Sequence, residues 1–132
     1  MDIEKHIVPR MKDLIIDSVL SVKDTMNPLH KKNCFEIFGY DFLIDEDFRV
    51  WLLEVNSNPY LGILNDFIEN LMPRMMNELL QKTVDLIYPP KNKLFESEPN
   101  NYELIYCEKN SQFSCITINQ RRGFDICLYP FP

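Results

Sequence analysis

The stretch from Cys34 to Asn56 constrains the fold more than any other part of the chain. It holds two runs rich in aromatic and β-branched residues, CFEIFGYDFLI (34–44) and RVWLLEVN (49–56), split by the acidic tetrapeptide Asp45-Glu46-Asp47-Phe48. Such runs around a short polar break predict an antiparallel β-hairpin. Alternation puts Phe35, Ile37, Leu43, Val50 and Leu52 on one face and Phe38, Tyr40, Phe42, Ile44, Trp51, Leu53 and Val55 on the other. A sheet apolar on both faces is expected to be covered on both.

Helical periodicity flanks the hairpin. Residues 5–26 place Ile7, Met11, Leu14, Ile15, Val19, Val22 and Met26 close to one stripe, with Pro9 suited to a first turn and Asn27-Pro28 as a stop. Residues 29–33 form a basic connector. Residues 63–88 repeat the helical spacing through Ile63, Phe67, Leu71, Met75, Leu79, Val84 and Ile87, and Pro73 is expected to split them into a short and a longer helix. After Pro89-Pro90 comes a polar loop, 91–101, then three short strand candidates, Tyr102–Cys107, Phe113–Ile118 and Phe124–Tyr129. The predicted class is α+β: helix, antiparallel hairpin, helices and a small C-terminal β appendage, with a division into residues 1–90 and 91–132.

Composition excludes several functions. With 14 Lys plus Arg against 20 Asp plus Glu, the net charge of −6 disfavours a nucleic-acid binder held by phosphate contacts. Three glycines leave little for a Gly-rich phosphate loop. No apolar run reaches membrane-spanning length, so no membrane partner is expected. The four cysteines form no C-x-x-C pair, which disfavours structural zinc, and MDIEKHIVPR has no apolar signal region. Reduced, cytosolic thiols are the expectation.

Three side chains in the hairpin carry chemistry. If Ile44 and Arg49 flank a four-residue turn, Asp41 stands opposite Leu52, and Glu54 and Asn56 share its face. Two carboxylates and an amide oxygen in an apolar setting call for a partner, because an unpaired buried carboxylate costs several kcal/mol by rough estimate. A hard cation such as Mg²⁺, held by one or two carboxylates plus substrate phosphates, answers that need. The spacing alone fits equally well a pair of solvated acids at the wet end of a sheet.

Residues 34–59, CFEIFGYDFLIDEDFRVWLLEVNSNP, resemble the C-terminal metal-binding hairpin of the tubulin–tyrosine ligase-like family of the ATP-grasp superfamily. The family form is F-E-x-F-G-[YF]-D-F-x-[IV]-D, a short turn, then W-L-x-E-V-N-x-x-P, and the flanking helices extend the likeness over residues 5–90. The resemblance implies that Asp41, Glu54 and Asn56 hold Mg²⁺ on ATP phosphates, with Glu54 bridging two ions and so the catalytic residue of the set. It implies that Leu43 floors the adenine pocket. It further implies transfer of the γ-phosphoryl group to a carboxylate and attack of an amine on the acyl phosphate. The partners would be ATP and tubulin or microtubules, the location the cytoplasm with its cytoskeleton or cilium, and the added residue Tyr, Glu or Gly. In the family, the loop and lysines that grip ATP precede this block. The 132 residues are therefore expected to supply only the metal-binding half and to be inactive alone. Two alternatives stay open: a non-catalytic partner-binding remnant, and another ATP-grasp carboxylate–amine ligase.

The remaining features read as structural. His6 and His30 are lone and flanked by lysine, Lys31-Lys32 belong to a solvated connector, and Arg121-Arg122-Gly123 forms a turn. Trp51 alternates away from the acids into the core. Met72, Met75 and Met76 form a packing stripe.

Overall fold

The computed structural model describes residues 2–26, 28–29, 34–62, 65–91, 101–107, 115–119 and 124–128. Helix α1 spans Ile3–Met26 and α2 spans Asp66–Ile87; the strands are β1 (Phe35–Ile44), β2 (Val50–Asn56), β3 (Tyr102–Cys107), β4 (Cys115–Asn119) and β5 (Phe124–Leu128). The class is α+β, as the patterning predicts. His30, Lys31-Lys32 and Arg121-Arg122-Gly123 lie outside the described residues.

Both prolines expected at helix boundaries sit inside helices. Helix α1 begins at Ile3, so Pro9 falls beyond its first turn, and Pro73 lies within an unbroken α2. Packing explains the second case: Met72, Met75 and Leu79 on either side of Pro73 are buried, and tertiary contacts outweigh one missing helical hydrogen bond. Asn65 caps α2, its side-chain oxygen accepting the Ile68 N–H at 3.0 Å, with Asp66 and Glu69 in the first turn to meet the helix dipole.

All five strands join one antiparallel sheet in the order β2-β1-β5-β4-β3. The small C-terminal β appendage expected from the sequence is joined to the hairpin in this sheet. Strand β5 inserts between β1 and β4, so the C-terminal segment completes the sheet that carries the hairpin. Helix α1 covers one face, where Ile15 and Val19 pack with Tyr40, Phe42, Leu52 and Ile116. Helix α2 covers the other through Met72, Met75 and Leu79 against Phe35, Ile37 and Tyr102. The methionine stripe is therefore core. A Lys12–Glu103 ion pair at 2.8 Å ties α1 to β3. Glu78, buried on α2, pairs with Arg74 at 3.1 Å and accepts the Asn101 N–H at 3.2 Å, fixing the entry to β3. Cys107 is disulfide-bonded, which corrects the expectation of reduced thiols for that residue.

Cover runs out towards β2, the edge strand. Leu43, Trp51, Leu53 and Val55 are between 42% and 63% exposed. The hairpin is thus apolar on both faces, as read, but several of its apolar side chains are open to solvent while Tyr40 and Val50 are buried. No helix among the described residues is long and apolar enough to cross a membrane.

Candidate metal-binding site on the β1–β2 hairpin

The turn is built by one side chain. Asp45 Oδ1 accepts the backbone N–H groups of Asp47 (3.0 Å) and Arg49 (2.8 Å), and Oδ2 accepts the Trp51 indole N–H at 2.9 Å. Backbone bonds from Phe48 N–H to the Asp45 carbonyl (2.9 Å) and from Asp45 N–H to the Arg49 carbonyl (3.1 Å) close the loop. An aspartate bonding its own backbone two residues on is the Asx-turn device. Phe48 takes the left-handed region at φ 61°, uncommon for a bulky residue and held here by those bonds. The indole N–H, then the Arg49 N–H, hold the Asp45 carboxyl below the usual carboxylate range.

From this turn the strands pair as Ile44↔Val50, Leu43↔Trp51 and Phe42↔Leu52; beyond it they pair as Asp41↔Glu54, Tyr40↔Val55 and Gly39↔Asn56. Leu53 is the extra residue of a β-bulge. Had the first register continued, Asp41 would face Leu53 and Glu54 would point to the opposite side of the sheet. The bulge brings Glu54 back opposite Asp41, and Asn56 follows two residues on. Bulges gather next to functional sites because they re-aim side chains in this way.

The three acid-site residues therefore share a face, but not by the expected route. Asp41 stands opposite Glu54, not Leu52. Directly opposed residues have Cβ atoms about 4.5–5.5 Å apart, closer than the diagonal spacing expected. The Asn56 side-chain N–H reaches Asp41 Oδ2 over a long 3.4 Å. A correction accompanies this: Asp41 and Glu54 are exposed, so the desolvation argument for a cation does not apply. What remains is like-charge repulsion across a strand pair, which weakens a hairpin unless something positive sits between. Among the described residues no cluster of three or more His, Cys, Asp or Glu could hold a metal. The donor set is two carboxylates and an amide oxygen, which fits Mg²⁺ completed by phosphate oxygens and water rather than a closed protein cage.

Gly39, opposite Asn56, has a packing reason. A Cβ there would lie 3.1 Å from the Pro59 Cβ, so glycine lets the Asn56–Pro59 segment fold back against β1. Leu43, half exposed, sits on the acid face across from Trp51. Trp51 is thus not core: a turn one residue longer than expected puts it on the acid face. Sequence reading missed Asp45 and Trp51 as a pair; the signal was an aspartate opening a turn whose next strand carries an indole at its second residue.

Comparison with known proteins now bears on these residues. The family model described as the tubulin-tyrosine ligase family matches residues 3–94. The chain belongs to that family. It is similar to tubulin glycylase 3B of Tetrahymena thermophila, 30% identical over 102 residues, covering 77% of this chain and 8% of that protein. Tubulin glycylase 3A of Drosophila melanogaster is 32% identical over 102 residues, 77% of this chain and 10% of the relative. Tubulin monoglycylase TTLL3 of Danio rerio is 28% identical over 100 residues, 76% of this chain and 12% of the relative. The chain thus spans about a tenth of the length of these relatives. The matched 3–94 holds α1, the hairpin and α2. No solved structure gives a significant match.

Proposed function

We propose that this chain carries the metal-binding part of an ATP- and Mg²⁺-dependent ligase that joins an amino acid to a protein. Tubulin is the proposed substrate and glycine the proposed addition, because the relatives named above are tubulin glycylases. The cytoplasm, with its cytoskeleton or cilium, is the matching location. The observation that supports this reading best is the bulge-enforced opposition of Asp41 and Glu54 with Asn56 on the same face. A hairpin that bends one strand to set two carboxylates against each other accepts repulsion that a cation removes.

In this reading Asp41, Glu54 and Asn56 would hold the Mg²⁺. Bound there, Mg²⁺ would supply positive charge to neutralise phosphate oxygens in phosphoryl transfer to a carboxylate. The chain's own residues hold those ions on a strand pair whose spacing is fixed by backbone hydrogen bonds, and Leu43 offers an apolar seat beside them. Rigid strands suit this task better than loops, since a misplaced charge loses transition-state stabilisation.

The test is a segment exchange. The matched segment of Drosophila melanogaster tubulin glycylase 3A is replaced by residues 3–94 of this chain, and glycine incorporation into tubulin is measured. The reading predicts activity, and a fall on the order of 10²-fold or more with Glu54→Gln in the exchanged segment. A folded chimera without activity would favour a non-catalytic, partner-binding element.

A further inference from the structure

A groove of about 580 Å³ opens between the N-terminal half of α1 and the hairpin turn. His6, Arg10 and Leu14 of the helix line it, with Phe48, Arg49 and Val50 opposite them in sequence on the turn and β2. It lies on the α1 face of the sheet, where Leu52 packs with Ile15 and Val19, and so on the side away from Asp41 and Glu54. Among the described residues no carboxylate lines it, although the chain carries a net charge of −6. Arg10 is loosely paired with Asp13 at 3.9 Å, and Arg49 is paired with Asp47; all four side chains are exposed, so these pairs hold weakly.

Two backbone features point to what fills the groove. The first is the edge of the sheet, where no described strand lies along the outer side of β2. The Asp45 N–H bonds the Arg49 carbonyl at 3.1 Å, and an antiparallel ladder bonds at alternate pairs. Leu43↔Trp51 is then the next bonded pair, and the N–H and C=O groups of Val50 and Leu52 point outward. Edge strands are ordinarily guarded by lysine, proline or cover. Strand β2 (VWLLEVN) has neither residue and leaves Trp51, Leu53 and Val55 exposed. The second feature is Phe48. It holds the left-handed position, φ 61°, that closes a three-residue hairpin loop and is ordinarily glycine, and it is 55% exposed at the groove. A bulky residue kept where glycine is easier is accounted for by a ring that binds something.

We propose that the groove takes an extended segment of a partner protein, which adds as a strand to the outer side of β2. A large apolar side chain of that segment seats against Leu14 and Phe48, and flanking carboxylates meet Arg10 and Arg49. Charge decides the partner: two guanidiniums with no carboxylate in the lining select an acidic strand over a basic one. In this mode backbone hydrogen bonds supply affinity and side-chain pockets supply selectivity. Groove and acid pair lie on opposite faces, so occupancy here neither needs nor blocks a cation there.

The test uses the full chain and a capped heptapeptide, VEVFVEV, which matches the seven residues of β2 and puts its phenylalanine and both glutamates on one face. Trp51, the single tryptophan, borders the groove and reports binding by its emission, while NMR follows amide exchange strand by strand. Saturable binding with slowed exchange at Val50 and Leu52 is expected. VKVFVKV and heptaglutamate should each bind about tenfold or more weakly, and the fully N-methylated VEVFVEV should not bind. Arg10→Glu, at an exposed helix position, should lower affinity for VEVFVEV about tenfold and raise it for VKVFVKV. Phe48→Gly suits the left-handed turn position, so the fold is kept, and it should weaken VEVFVEV by about the same factor. Binding of the N-methylated peptide or of heptaglutamate as tightly as VEVFVEV would reduce the groove to a charged patch and overturn the proposal. Protection confined to β3, the other edge, or no saturable binding at all, would overturn it as well.

Discussion

Asp45 concentrates the physics of the hairpin at one residue. Its carboxylate accepts three N–H groups, and the bond to the Trp51 indole is the largest cause of its lowered pKa, followed by the Arg49 N–H. A carboxyl whose folded pKa lies below its unfolded value contributes stability above the unfolded pKa, and that contribution is lost as pH falls through the folded one. Trp51 emission should therefore hold steady down to the ordinary aspartate range and change only below it. Asp45→Asn should abolish that acid transition; a transition that persists in Asp45→Asn would assign it to another carboxylate. Gly39 makes a second residue-scale case. Gly39→Ala introduces a methyl 3.1 Å from Pro59, so it should destabilise the chain by about 1–3 kcal/mol in chemical denaturation, as overpacking does.

At the scale of elements, the hairpin was legible and its register was not. The aromatic and β-branched runs around Asp45–Phe48 located β1 and β2 to within a residue, because alternation and turn chemistry are local. The bulge at Leu53 is not local: it reconciles the register set by the Asp45 turn with the one that pairs Gly39 with Asn56. Two errors in the sequence reading follow from the register: the turn is one residue longer than expected, which turns Trp51 to the acid face, and the turn and the bulge together move the partner of Asp41 from Leu52 to Glu54. The errors cancelled for the acids, whose shared face stands, and did not cancel for Trp51. The expectation that Leu53 is buried fails with them, since Leu53 is 63% exposed. Leu53→Gln should accordingly change stability by no more than about 0.5 kcal/mol, the range for surface positions. A loss of several kcal/mol would mean that this edge is covered.

For the whole molecule, the order β2-β1-β5-β4-β3 makes the C-terminal strands part of the sheet that carries the site. That was beyond sequence reading, because pairing between Phe35–Gly39 and Phe124–Leu128 spans some ninety residues and leaves no local pattern. The same applies to the two prolines, where burial of the helix stripe prevailed over a local breaker. One sheet with a helix on each face should unfold as one cooperative unit. Leu79→Ala, at a side chain with no exposure, should cost about 2–5 kcal/mol. The loss should appear equally in Trp51 emission and far-ultraviolet dichroism; two separated transitions would mean that the C-terminal strands form an independent unit.

The central claim, that Asp41 and Glu54 are opposed in order to hold a divalent cation, is tested most directly by Mn²⁺ titration followed by water-proton relaxation. Four proteins are compared: the wild-type chain, Asp41→Asn, Glu54→Gln, and Glu46→Gln as an exposed acid of the neighbouring turn. The account predicts saturable binding to the wild-type chain, unchanged by Glu46→Gln and weakened about tenfold or more by either hairpin substitution, since each removes one of two charged oxygen ligands. Equal affinity across all four proteins would show that the two carboxylates are merely solvated, and would contradict the account.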